Sequence, residues 1–271
     1  MSREASDAIR VARVLCIIFM TTVHVWPGAS EVMGADVGPV LHAFYLVLID
    51  YLGRGSVPLL SVVSGFLLTR SLGRKSSQEM IRSKAWALLV PMVIWSALVL
   101  VLVLARALIL GDGADMPHGV MGWINALFSV TAPPANIPVA FLRDVFVSAV
   151  IGIIVIGIYR QMPVLAGILL LILIPAEVGT GGLLLLRPQI LVFYTIGLVL
   201  GLQIGRMPEP PWGLILLVLG LDAALRHVFG LPGSGETGIG LWMSYLGRIA
   251  MSLLMWRCAL DIRYAQGGLW R

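Results

Sequence analysis

Charge is scarce in this chain of 271 residues. Asp, Glu, Lys and Arg make up 12% of it against 59% hydrophobic residues, and the mean hydropathy is +0.95. A soluble domain carries roughly twice that charged fraction, so the composition excludes one. The apolar runs are long and apolar on all sides. That excludes a transmembrane barrel, which would alternate over short segments, and leaves an all-α polytopic helical bundle. Cysteine is nearly absent too. Cys16 and Cys258 lie in apolar runs at opposite ends, with no Cys or His at metal-ligand spacing, which excludes a zinc site and a disulfide framework. Both read as small buried hydrophobes. The net charge of +5 and pI near 9.6 look basic, yet basic residues of a membrane chain gather in cytoplasmic loops, so no nucleic acid is implied.

Apolar runs and their polar breaks give about eight spans. They lie near 11–26, 39–72, 86–110, 138–159, 163–178, 188–204, 212–229 and 239–260. Several start at or just after a proline, which a helix tolerates in its first turn. The first could be mistaken for a signal peptide, with Gly28-Ala29-Ser30 as a cleavage region. His24, Trp26 and Pro27 near the end of its apolar run favour an uncleaved span.

Basic residues are missing from one set of loops. With the N-terminus cytoplasmic, inside segments hold Arg3, Arg10, Arg70, Arg74, Lys75, Arg82, Lys84, Arg160, Arg206, Arg263 and Arg271. Outside loops 27–38 and 111–137 hold no Lys or Arg, the third holds Arg187, and 230–238 holds none. The positive-inside rule selects this orientation. It requires 39–72 to cross once, as a tilted or broken span with Gly53, Gly55 and Pro58 at the break. The loop 111–137 is the one long extracytoplasmic connection. Its Trp123, Phe128 and Pro133-Pro134 predict a short interfacial helix followed by a turn.

Against this apolar background two ionisable residues of the first span stand out, Arg13 and His24. Ten residues separate them, roughly three helical turns, so both fall on one helix face about 16 Å apart along the axis. The structural alternative is that Arg13 snorkels to the cytoplasmic surface and His24 marks the far interface. The functional reading starts from the cost of ionisable groups in a bilayer. Neutral imidazole accepts and returns a proton near pH 7, which suits general base catalysis on a hydroxyl. Arginine offers a planar fork of donors suited to a phosphate or carboxylate.

Other polar residues have weaker patterns. Asp50 and Arg54 are four apart and would form a structural ion pair at the span break. Ser64-Gly65 would let helices approach closely or line a pathway. Arg82 and Lys84 read equally as topogenic charge or as ligands of a carrier phosphate. Arg248, in mid-span, needs a partner such as Asp222. His42, His118 and His227 have no partner signature.

Arg-x10-His in a first span resembles the hallmark of the membrane acyltransferase-3 superfamily, which O-acylates bacterial surface and secreted carbohydrates. Further resemblances follow in the family's order. The run Val57-Pro58-Leu59-Leu60-Ser61-Val62-Val63-Ser64-Gly65-Phe66 resembles its second-span motif. Arg82-Ser83-Lys84, then Leu88-Leu89-Val90-Pro91 and Trp95, resembles its basic entry to span three. Phe141-Leu142-Arg143-Asp144-Val145-Phe146-Val147 resembles the opening of span four, and Phe193-Tyr194-Thr195-Ile196-Gly197 is a fainter match. There are two departures. Members usually have about ten spans and a late Ser-Phe…His helix, so this sequence reads as a shortened member or one lacking a C-terminal piece. An acidic residue often lies close before the motif arginine, whereas here Arg10 stands three before Arg13, which makes Arg10 a second candidate for the carrier.

The resemblance implies a single membrane acyltransferase domain over 1–271 in the bacterial inner membrane. Its activity would be transfer of an acyl group, acetyl in the first instance, from acyl-CoA to a hydroxyl of an extracytoplasmic or lipid-linked carbohydrate. His24 and Arg13 would be the catalytic pair. Arg10, Arg82 and Lys84 would hold the CoA carrier, and Ser64, Arg143 and Asp144 would meet the acceptor. No permanently bound cofactor or metal is expected. The rival class is a transporter or flippase for a lipid-linked sugar, but the chain lacks the paired Gly/Pro-interrupted spans in two halves that such a fold calls for. A non-catalytic scaffold would leave the shared helix face of Arg13 and His24 without a reason.

Overall fold

The computed structural model describes residues 3–25, 52–72, 74–111, 113, 116–179, 184–229 and 238–269. Among them every regular element is helical. In chain order these are α1 (Arg3–Val25), α2 (Arg54–Ser71), α3 (Ser77–Leu110), α4 (Gly119–Phe128), α5 (Ala140–Tyr159), α6 (Pro163–Gly179), α7 (Gln189–Val199), α8 (Trp212–Phe229) and α9 (Gly238–Leu269). A short 3-10 turn, Ile137–Val139, leads into α5, and a π turn, Leu200–Ile204, ends α7.

Each expected span falls on a helix wherever its residues are described. The short helix expected in the 111–137 loop is α4; bends at 130–132 and 135–136 follow it on either side of Pro133-Pro134, which are irregular. Of the stretch 39–72, residues 39–51 lie outside the described residues, and α2 runs from Arg54 unbroken through Gly55 and Pro58, two of the three residues expected at the break. Among the described residues two helical segments are long and apolar enough to cross a bilayer, Ser77–Leu110 and Ile137–Tyr159. The apolar stretches of α6, α7 and α8 are shorter.

Local chemistry sets the helix ends. Ser76 and Glu79 form a capping box at the start of α3. The Ser76 hydroxyl accepts the Glu79 N–H at 3.3 Å, and the Glu79 carboxylate accepts the Ser76 N–H at 2.9 Å. At its other end Gly111 takes the left-handed conformation, φ 70°, that closes a helix. Polar residues 77–85 therefore belong to the helix although they fall outside the apolar run.

The chain divides into two compact units, Met1–Val63 with Gln203–Arg271, and Ser64–Leu202. In the first, α1 and α8 both pack on α9, whose Ala250, Met251, Met255, Trp256, Ala259 and Leu260 are buried. The opening turn of α2 joins them, where the Ser252 hydroxyl donates to the Gly55 carbonyl at 3.3 Å. The connection into α8 is fastened to α9 by the Trp256 indole N–H, which donates to the Pro208 carbonyl at 2.7 Å.

In the second unit α5 is central, with α3, α6 and α7 against it. Small residues set the packing distance, as expected where helices meet by van der Waals fit rather than by expelling water. A methyl group at Gly152 would stand 3.0 Å from Leu68 and 3.2 Å from the Tyr194 ring. Much of α3 faces outward: Trp86, Ile94, Trp95, Leu98, Val101, Leu102 and Leu108 are all exposed. An apolar face of that extent exceeds what a monomer in water normally shows.

Candidate active site

Arg13 and His24 belong to one unbroken helix, α1. Its buried stripe is Ala8, Ile9, Ala12 and Cys16, on a helix that packs against α9. Eleven steps of about 100° return almost to the start, so Arg13 and His24 share one flank of this stripe, about 16 Å apart along the axis. Arg13 is exposed and His24, in the last turn, is half-buried. Arg10 is exposed and pairs with Asp7 at 3.5 Å. Thus the acidic partner in this turn goes to Arg10. The Thr21 and Thr22 hydroxyls, in the same last turns of α1, donate to the carbonyls of Ile17 and Phe19.

The remaining candidates lie in the second unit. Arg82 is exposed and Lys84 half-buried, both in the first turns of α3. Ser64 is half-buried, and its neighbour Gly65 is pressed onto the backbone of Tyr194 and Leu198 in α7. Two stretches of the family resemblance thereby meet, Ser64-Gly65-Phe66 and Phe193-Tyr194-Thr195-Ile196-Gly197. Of the two readings left open for Ser64-Gly65, close helix approach is the one this contact embodies.

Arg143 and Asp144 open α5 as an ion pair of 2.8 Å. Arg143 also donates to the Val130 carbonyl at 2.9 Å, and Asp144 accepts the backbone N–H groups of Leu186 and Arg187, both at 3.1 Å. This dipeptide therefore ties two connections to one helix, that after α4 and that before α7. Asp144 is fully buried, with both carboxylate oxygens engaged by the protein. Burial pulls the Arg187 guanidinium below its ordinary range, the Asp144 charge opposes that, and the group stays cationic. Asn125 fixes the turn after α4: its side-chain oxygen accepts the N–H groups of Thr131 at 2.8 Å and Ala132 at 3.3 Å.

One group escaped the sequence reading. Glu177, fully buried in α6, accepts the N–H groups of Leu184 at 2.8 Å and Leu185 at 3.3 Å. Its signal was available, since it is a carboxylate in an otherwise apolar segment.

The Arg248 guanidinium donates to the Ser244 hydroxyl at 3.2 Å within α9, while Asp222 is buried in α8, which packs on α9. His118 is exposed at the start of α4. Asp50 and His42, and the side chains of Arg54 and His227, lie outside the described residues. Cys16 and Cys258 are free thiols. Among the described residues no group of three or more His, Cys, Asp or Glu is placed to hold a metal ion.

The acyltransferase domain model of the acyltransferase-3 family matches residues 6–257, which takes in Arg13, His24 and every helix from α1 into α9. The chain belongs to that family of acyltransferases. Over 151 residues it is 34% identical to the succinoglycan biosynthesis protein ExoH of Rhizobium meliloti (strain 1021). That stretch is 53% of this chain and 40% of the relative, so the match spans well under half of the relative's length. No solved structure matches the chain.

Proposed function

We propose that this protein is a membrane-embedded O-acyltransferase of the bacterial inner membrane. It moves an acyl group, acetyl in the first instance, from acyl-CoA to a hydroxyl of an extracytoplasmic or lipid-linked carbohydrate. The observation that carries the reading is the common flank of Arg13 and His24 on α1, in a chain of an acyltransferase family. The relative's part in succinoglycan biosynthesis supports an extracellular polysaccharide as the acceptor class. The outward apolar face of α3 and the alternation of basic and basic-free loops support a multi-pass protein with a cytoplasmic N-terminus.

In this reading the Arg13 guanidinium, with Arg10 nearby, engages phosphate on the CoA carrier, and Arg82 and Lys84 add positive charge on the cytoplasmic side. His24, deeper in the helix, takes the proton of the acceptor hydroxyl as its oxygen attacks the thioester carbonyl. The new C–O bond forms, the C–S bond breaks, and the CoA thiolate leaves and is protonated by the imidazolium. A covalent relay uses the same atoms in two steps, with the acyl group first on a His24 ring nitrogen. Single-turnover reaction with radiolabelled acetyl-CoA separates them, because label that stays on the protein after acid quench marks the relay.

The deciding experiment is thiol release from acetyl-CoA by the purified protein in lipid nanodiscs, with and without a carbohydrate acceptor. Acceptor-stimulated release with label recovered on the sugar supports transfer. Transport of a lipid-linked sugar without any thioester cleavage would overturn it.

A further inference from the structure

Glu177 on α6 and Asp144 on α5 are both fully buried, and between them they accept four consecutive backbone N–H groups. Leu184 and Leu185 donate to the two oxygens of Glu177, and Leu186 and Arg187 to the two oxygens of Asp144. Irregular backbone beside apolar helices must have its N–H groups satisfied from within the protein. Neutral carbonyls or water would meet that need. Two carboxylates do more, since charge-assisted bonds are roughly twice as strong as neutral ones and fix the donor's direction. The clamp is also held from behind, because Asp144 pairs with Arg143 and Arg143 donates to Val130.

The segment so fixed ends at Arg187, whose side chain is half-buried. In the sequence it is the lone basic residue of the outside loops up to that point, and the loops on that side are otherwise almost free of cations. Its backbone is anchored to Asp144, which pairs directly with Arg143 and whose charge also acts on the Arg187 guanidinium. The fork of Arg187 thus has a fixed root on the acceptor side of the proposed topology.

We propose that Asp144 and Glu177 are positioning residues that hold Arg187 as the contact for an oxyanion on the carbohydrate acceptor. The inference rests on the acyltransferase topology above. A carboxylate on the sugar and a phosphate on its lipid carrier present the same chemistry to a guanidinium.

The test uses the full chain in nanodiscs and three synthetic probes: a neutral disaccharide, the same disaccharide bearing a uronate, and the neutral disaccharide on a short polyprenyl diphosphate. Equilibrium binding is measured first, so that the result does not depend on catalysis. Arg187→Ala should weaken binding of one charged probe by on the order of 10-fold to 100-fold and leave the neutral one unchanged. Whichever charged probe suffers identifies the source of the oxyanion. Equal binding of all three by wild type and variant overturns the proposal.

For the clamp, Glu177→Gln keeps the volume and removes the charge. It should speed amide hydrogen exchange at Leu184 and Leu185 and raise the acceptor KM while acyl-CoA hydrolysis and kcat hold. Loss of hydrolysis in proportion to transfer would reduce the clamp to a folding role and overturn its positioning role. A wild-type protein without any thioester cleavage would sink the acyltransferase reading alone, and the binding comparison would still decide the role of Arg187.

Discussion

Gly65 in α2 lies directly against the backbone carbonyl of Tyr194 in α7, with the Leu198 N–H of the next turn 3.1 Å from where a side chain at 65 would begin. The neighbouring atoms are helical backbone and cannot swing aside as a flexible side chain could. Two effects compete in Gly65→Ala. Helix propensity favours alanine by about 1 kcal/mol. Forcing a methyl group into a filled contact typically costs about 1–3 kcal/mol, and here the obstruction is backbone. Overpacking should win, and thermal unfolding in detergent should show a lowered midpoint. Gly157→Ala on α5, where the same methyl meets open space, should be neutral or mildly stabilising.

Topology is tested by labelling. In a background with Cys16 and Cys258 replaced, single cysteines go at the exposed positions Ser77 and Val120. A membrane-impermeant maleimide added to intact spheroplasts should label position 120 and spare position 77. Labelling of 77 from outside would overturn the orientation and, with it, the single crossing of 39–72.

Helices were legible in the sequence because hydropathy and proline punctuation are local. Their ends were less so. The first turns of α3 are polar, and its start at Ser77 follows from the Ser76–Glu79 capping box rather than from apolarity. The Arg13–His24 relationship was legible because it needs only helical periodicity. The Asp144–Glu177 clamp was not, since it joins side chains 33 positions apart, on α5 and α6, to the amides of the connection between α6 and α7. Arg143-Asp144 was noticed as a motif, but what it touches, the Val130 carbonyl and the Leu186 and Arg187 amides, is set by packing that no local pattern encodes.

Arg13 gives the test of the donor side. Lysine keeps the charge and loses the planar fork, so Arg13→Lys should retain part of the acyl-CoA affinity while Arg13→Ala loses most of it. Arg13 is exposed and outside the buried stripe of α1, so neither change should disturb folding. Isothermal titration with acetyl-CoA provides the comparison. Wild-type affinity in the alanine variant would return Arg13 to a topogenic role.

His24 carries the sharpest consequence. An imidazole that accepts the hydroxyl proton, or carries the acyl group, has no substitute in an amide of similar size. His24→Gln should therefore lower transfer roughly 10²–10⁴-fold, the usual cost of losing a positioned base, with membrane expression unchanged. His118→Gln is the control, because His118 is exposed and its side chain makes no cap hydrogen bond at the start of α4. It should keep nearly full activity. Donor affinity separates His24 from Arg13: His24→Gln should bind acetyl-CoA almost as wild type, since the imidazole acts about three helical turns away from the carrier phosphates. If His24→Gln transferred acyl groups at more than a few per cent of the wild-type rate, base and relay roles would both fall, and α1 would keep only its packing against α9.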